Sequence, residues 1–352
     1  MTSSPLALKG APGSPYTRKM LAVLRYRRIP YHFIVGSRAT HSDLPKPKVE
    51  LLPTFYFPRA DGSLEAMVDS TPIIRRLEIE HAARKVIPTD PVIRFIDSLI
   101  EDYADEWLTK AMFHYRWHYA ADIEKSGDIL PRWRAITASD ERQRELKTQF
   151  AERQISRLHV VGSNAITAPV IEAGYARFLD LFEAHLRVHP YLMGARPGAS
   201  DFAVFGQLSQ LAHFDPTPAA LTLARAKRVY AWVGLIDDLS GVEPDDDGWI
   251  TRGSIPPTLM ALMCEAGRGY VPVMLANARA LKAGASQVEA QVDGQAWVQQ
   301  AFPYQGKCLQ WLREAFAALA AADQTLVMRL LAQTGCRELI SGDDTRAAPR
   351  PA

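Results

Sequence analysis

A change of pattern near Pro91 constrains the fold of this chain more than any other feature. Before it, short runs of branched and aromatic residues alternate with helical segments; after it, strand signals vanish until Val288. Leu6 to Lys9 reads as a strand, Gly10 to Gly13 as a loop, and Tyr16 to Arg27 as a helix with Met20, Leu21, Val23 and Leu24 on its apolar side. Tyr31 to Val35 reads as a second strand, and two strands joined by a helix make a parallel crossover. Thr54 to Phe57 and Leu64 to Val68 flank Arg59-Ala60-Asp61-Gly62, in which Asp-Gly supplies the positive backbone angles of a tight hairpin. Asp69-Ser70-Thr71-Pro72 then opens a helix running to about His81, because Ser or Thr caps a helix and proline is tolerated in its first turn. The order βαβ, then ββα, predicts a small α/β domain over residues 1–84.

Beyond Pro91 the pattern is all-α. Ile96, Ile100, Tyr103, Trp107, Ala111, His114 and His118 recur at three- and four-residue spacing and mark one side of a long helix. Further helical patterns cover Leu146 to His159, Pro169 to Val188 and Phe202 to Ala212, giving a helical domain over residues 88–240. Gly241 to Gly248, with its acidic run, reads as a linker. A helical extension over residues 249–340 follows, with helices at Pro256 to Leu281, Tyr304 to Ala321 and Gln324 to Gln333, and Val288 to Val292 as one arm of a small hairpin before Asp293-Gly294. Gly335 falls where a helix C-cap is expected. Trp297, Phe302, Tyr304, Trp311, Leu312, Phe316 and Leu319 offer enough apolar surface to dock the extension, at roughly 1.5 to 3 kcal/mol for each side chain fully buried. Residues 341–352 are polar and proline-bearing and read as a disordered tail.

At 352 residues, 47% hydrophobic and 23% charged, the chain has the composition of a globular protein of about three domains. A net charge of +2 without a basic run excludes the electrostatic footprint of a nucleic-acid binder. The first residues lack the pattern of a signal peptide, and no uninterrupted apolar stretch reads as a membrane span, so a soluble cytoplasmic protein is expected. Cys264, Cys308 and Cys336 lack metal-type spacing and read as reduced thiols; the first half has no cysteine, which excludes cysteine redox chemistry there.

Gly13-Ser14-Pro15-Tyr16-Thr17-Arg18-Lys19, between a strand and a helix, resembles the active-site turn of glutathione transferases and their thioredoxin-fold relatives. Leu52-Pro53 resembles the cis-proline before the third strand, and Asp69-Ser70 the start of the following helix. Gly194-Ala195-Arg196-Pro197-Gly198-Ala199-Ser200-Asp201-Phe202 looks like the family's glycine loop and helix-capping motif, continued by Asp215-Pro216-Thr217-Pro218 and Trp232. The resemblance spans about the first two thirds of the chain. It implies a thioredoxin-like N-terminal domain, a helical domain of glutathione-transferase type, a homodimer, and glutathione as co-substrate. Two positions depart from the pattern: Leu51 stands where many relatives carry a polar group near the glycine end of glutathione, and Gly198 where a Ser or Thr cap is usual.

On that resemblance Ser14 is the catalytic residue, donating a hydrogen bond to the glutathione thiolate at the positive end of the first helix. Leu52 before cis-Pro53 offers its backbone to the tripeptide's cysteine, and Asp69 and Ser70 take the ammonium and carboxylate of its γ-glutamyl end. Tyr103, Trp107 and His114, with Tyr115 beside them, are candidates for an apolar wall of the electrophile pocket, and Tyr16 is the second choice for the thiol-binding hydroxyl. The residues also admit plainer roles: Ser14 before Pro15 is a helix cap, Ser70 before Pro72 likewise, and Asp201 a backward-bonding carboxylate at the third helical position. His114 and His118 lie one turn apart without a third ligand, so no metal is expected. Ser14 and Thr17 stand where redox relatives carry cysteines, which excludes disulfide reduction. The function that follows is activation of the glutathione thiol for transfer to a small electrophile; the alternative is a non-catalytic binding or scaffolding protein with the same fold. Isomerisation or dehalogenation would use the same thiolate.

Overall fold

A computed structural model describes residues 5–35, 43–245 and 247–341; of the expected tail, only Ser341 falls within them. The first domain follows the predicted order. Strand β1 (Leu6–Lys9) pairs parallel with β2 (Tyr31–Ile34) through helix α1 (Pro15–Tyr26). Strands β3 (Thr54–Pro58) and β4 (Leu64–Val68) form an antiparallel hairpin and α2 (Ser70–Glu80) follows, so the sheet order is β2-β1-β3-β4. In the hairpin turn Gly62 takes φ +82, and Asp61 Oδ1 accepts from the Ser63 N–H at 2.9 Å. The apolar side of α1 is buried as its periodicity requires.

The predicted long helix is one rod with a defect. It runs through α3 (Pro91–Tyr103), a π-helical stretch at Ala104–Leu108, and α4 (Thr109–His118). Helices α5 (Ala120–Arg132) and α6 (Asp140–Ile155) fold back on α4 as a pair; the first buries Asp122, Ser126 and Gly127 and was not expected from the sequence. Helix α7 (Ala168–His185) leads to α8 (Ala199–Leu211), every residue of which is buried. Two short helices, α9 (Pro216–Arg225) and α10 (Lys227–Ile236), complete this part.

Helix α8 is the axle of the structure and packs directly on α1. A Cβ at Gly206 would stand 2.6 Å from the Pro15 carbonyl oxygen, so only glycine lets the first turn of α1 approach this closely. The start of α8 is capped in an unusual way. Asp201 accepts from the backbone N–H groups of Gly198 (2.8 Å) and Leu192 (2.9 Å), as expected of a structural carboxylate. The hydroxyl missing at Gly198 is replaced from another helix: Asp97 Oδ1 on α3 accepts from the Ser200 N–H (3.1 Å) and Ser200 Oγ (2.6 Å). Glycine at 198 is therefore required by space, because a Cβ there would lie 2.5 Å from Asp97 Oδ1.

The extension comprises α11 (Pro257–Ala283), the hairpin β5 (Gln287–Val292) and β6 (Gln295–Gln300), α12 (Pro303–Ala317) and α13 (Ala321–Thr334), closed by Gly335 at φ +74. It is docked as its aromatic residues predict: Trp297 is fully buried and sits 5.2 Å from Trp107, Tyr270 lies 6.1 Å from Tyr103, and Phe316 6.0 Å from Phe95. Asn277 of α11 accepts from the Phe302 N–H and donates to the Phe302 carbonyl, fixing where α12 begins. Against the reading of the sequence, α11 is long and apolar enough by length and composition to cross a membrane. Its apolar side chains are used here against α7, α12, α13 and the hairpin, and 67% of its most apolar window is buried in the fold.

A counterintuitive consequence concerns residue 198. Serine is an intrinsically better N-cap than glycine or nearly its equal, yet Gly198→Ser should lower stability by about 1 to 3 kcal/mol through overpacking against Asp97. Denaturant unfolding of the two proteins measures this, and a stabilised Gly198→Ser would show that Asp97 yields freely.

Candidate functional site

Ser14 is the N-cap of α1. Its Oγ accepts from the Thr17 N–H at 3.2 Å, and Pro15 occupies the first helical position, so the plainer reading of Ser14 as a cap is correct. A hydroxyl carries one donor and two acceptor sites. With Thr17 on an acceptor site, the Ser14 O–H remains free to donate into the cavity that Ser14 lines. The preceding turn is held from the helical domain: Arg116 on α4 donates to the Gly13 carbonyl at 2.8 Å while its other nitrogens engage Asp215 (2.9 Å) and Gln210 (2.7 Å). Tyr16 lines the same cavity, but its hydroxyl donates to the Asp105 carbonyl at 2.8 Å; burial, then the charges of Glu106 and Asp105, push its pKa well up.

The Leu52-Pro53 peptide bond is cis, and both residues line the cavity. Asp69 and Ser70 do too, at the entrance of α2, where Asp69 takes φ 81 and makes no side-chain cap bond. Its carboxylate is turned instead to the extension: Tyr304 at the start of α12 donates its O–H to Asp69 Oδ2 at 2.8 Å. Burial raises the pKa of Asp69, and the bond from Tyr304 partly offsets that. Nothing in the sequence spacing links residues 69 and 304. The cavity that gathers these groups has a volume of about 790 Å³. Its wall on the helical-domain side is built by Met112, Phe113 and Trp117 of α4, Leu130 and Trp133 at the end of α5, and Phe150 of α6.

Tyr103, Trp107 and His114 are not part of this wall. Tyr103 is buried against Phe178 and Tyr270, Trp107 against Trp297, and His114 is enclosed with Nδ1 at 2.8 Å from Ser163 Oγ and Nε2 at 3.1 Å from Glu172. Tyr115, beside them, packs on Tyr119 and Tyr175. The apolar stripe read from the sequence is real, but α7 and the extension cover it; the opposite side of the rod, with Thr109, Lys110 and Phe113, faces the cavity. Among the described residues no cluster of His, Cys, Asp and Glu is arranged to hold a metal ion, and the three cysteines are free.

Residues 8–85 match the family model of the glutathione S-transferase, N-terminal domain. That match marks the first domain, residues 8–85, as one of glutathione S-transferase N-terminal type. Among solved structures it is similar to a glutathione transferase family member from Pseudomonas fluorescens crystallised with two glutathione bound (14% identity over 65% of this chain and 87% of that one, TM-score 0.40). It is also similar to a GST-like protein from Pseudomonas syringae (15% identity, 71% and 80%, TM-score 0.43) and to a Tau class glutathione S-transferase from mango (17% identity, 67% and 89%, TM-score 0.41). No curated protein matches the chain.

Beneath the cavity lies a buried patch of carboxylates that the rod presents at Glu101, Asp102, Asp105 and Glu106. Lys19 of α1 is inserted among them, with Nζ 2.9 Å from Glu101 and 2.6 Å from Asp105. Burial alone would lower the Lys19 pKa; Asp105 and Glu101 reverse this and raise it. Burial would raise Glu101, but Lys19 and Arg75 bring it down to about 2. Asp105, by contrast, is raised to about 6 by burial despite Lys19, and Asp102, which accepts from the Tyr270 O–H, is raised by burial to about 7. A carboxyl raised in the folded state binds more protons there, so its contribution to stability is complete below about pH 4 and is lost as pH rises through about 7. Thermal unfolding of the wild type should lose stability between about pH 4 and pH 7. Asp102→Asn, which keeps an acceptor for Tyr270, should lose less over that range; identical slopes would remove Asp102 from the account.

Proposed function

We propose that this protein binds glutathione in the cavity between its domains and activates the thiol for transfer to a small electrophile. The observation that carries this reading is the convergence of Ser14, cis-Pro53, Asp69 and Ser70, from three separate stretches, on one cavity. Glutathione's thiol titrates above neutrality, and the thiolate is the nucleophile. The Ser14 O–H, oriented by its bond from Thr17, and the N-terminal end of α1 favour that anion by a few kcal/mol at most. Leu52 is placed to pair its backbone with the tripeptide's cysteine; Asp69 would take the ammonium, and Ser70 with the first amides of α2 the α-carboxylate. Sulfur then bonds to the electrophilic carbon as the leaving group departs.

One observation favours the alternative of a binding protein without chemistry: Tyr304 already engages the carboxylate that the ammonium would need. Calorimetric titration with glutathione separates the two. Binding should weaken about ten-fold or more in Asp69→Ala. Ser14→Ala should bind nearly as well but turn over about ten- to a hundred-fold more slowly, the worth of one charge-assisted hydrogen bond, with the pH–rate profile moving toward the ordinary thiol value. Unchanged activity in Ser14→Ala would end its assignment. If Tyr304 competes with the ammonium, Tyr304→Phe should bind glutathione more tightly than the wild type; absence of binding to both proteins would leave the binding-protein reading.

A further inference from the structure

The cavity wall carries both signs of charge. Asp69, Asp105 and Glu106 line it, as do Lys110, Arg116 and Lys307, and three further arginines come from the α5–α6 side: Arg134, which follows α5, Arg153 near the end of α6 and Arg157 just beyond it. None of these three arginines makes an ion pair or a side-chain hydrogen bond among the described residues. Arg116 on the same wall, by contrast, is held by Asp215 and Gln210. The pKa of Arg134 is lowered, by burial and then by the charge of Arg153, so two like charges act on each other, and neither has a counter-ion among the described residues. Aromatic rings line the same cavity, with Phe113 6.4 Å from Trp117 and Trp117 5.8 Å from Phe150. Aromatic rings and unpaired cations in one cavity are complementary to a ligand with an aromatic body and an anionic group.

We infer that the second substrate is an anionic aromatic electrophile, whose ring lies on Phe113 and Phe150, with Trp117 packed behind them, and whose carboxylate or equivalent oxyanion pairs with Arg134, Arg153 and Arg157. The role as electrophile rests on the transferase reading; the anion site does not. The other source of a carboxylate in this cavity is the glycine end of glutathione itself, and the two are separable. With a chloronitrobenzoate as the probe, the glutathione thiolate forms the C–S bond, chloride leaves with the C–Cl electron pair, and the thiol proton has already passed to solvent.

The test compares the full chain with a variant carrying Arg134→Gln, Arg153→Gln and Arg157→Gln, and with one carrying Lys at the same positions. Binding of the chloronitrobenzoate and of its neutral primary amide is followed by tryptophan quenching without glutathione. The benzoate should bind the wild type about ten-fold more tightly than the amide. That preference should shrink as salt is raised, survive in the Lys variant and vanish in the Gln variant. Equal affinities in the wild type, or a preference that survives in the Gln variant, would overturn the inference. Glutathione is then titrated into the same proteins. Unchanged affinity in the Gln variant supports a second-substrate site, whereas a ten-fold loss of glutathione affinity with benzoate binding intact assigns the arginines to the glycine carboxylate and overturns it. If glutathione binds none of the proteins, the transferase reading fails, and the benzoate preference alone decides the anion site.

Discussion

The placement of Ser14 depends on Lys19. One helix carries both, so the ion pairs of Lys19 with Glu101 and Asp105 set where the first turn of α1 stands relative to the α3–α4 rod. Both Lys19 and Glu101 are only 1% exposed. Taking such charges out of water is costly, and removing one partner typically costs 3 to about 5 kcal/mol because the other is left uncompensated. The arrangement therefore specifies a position more than it adds stability. Gly206 and Arg116 act on the same turn, the first by allowing backbone contact with Pro15 and the second by gripping the Gly13 carbonyl. Three interactions from the helical domain thus converge within a few residues of one hydroxyl.

The parts legible in the sequence are those whose signal is local. Strand β4 begins and ends at the predicted residues because a hairpin turn and a cap fix its two sides, and Asp293-Gly294 announced the second hairpin in the same way. Ser14, Leu52, Pro53, Asp69, Ser70 and Tyr16 all line one cavity, because the order of strand, turn and helix brings them there. The wall on the helical-domain side was not legible. The rod is apolar on both sides, with Tyr103 and Trp107 on one and Phe113 and Trp117 on the other, and periodicity does not say which side meets core. Helix α5 buries Asp122, Ser126 and Gly127, and α6 buries only Gln143, so their return onto α4 left little trace in the pattern of apolar residues.

The extension decides that question. By burying Tyr103 and Trp107 under Tyr270 and Trp297 it turns a surface that could have faced a ligand into core, and it delivers Phe302, Tyr304 and Gln305 to the cavity instead. Asn277 makes this delivery exact in register by pairing with both backbone groups of Phe302, two residues before the tyrosine that meets Asp69.

The grip of Arg116 on the Gly13 carbonyl bears on how far this chain is modular. The thioredoxin-like domain has its own sheet and apolar seam, and a fold boundary can be drawn after it. The turn it contributes is nonetheless shaped by a guanidinium that is itself anchored to Asp215 and Gln210, far along the chain. Transplanted into another protein, the first domain would carry its recognisable motif but not its working geometry. The smallest transferable unit is the turn together with the helices that hold Arg116.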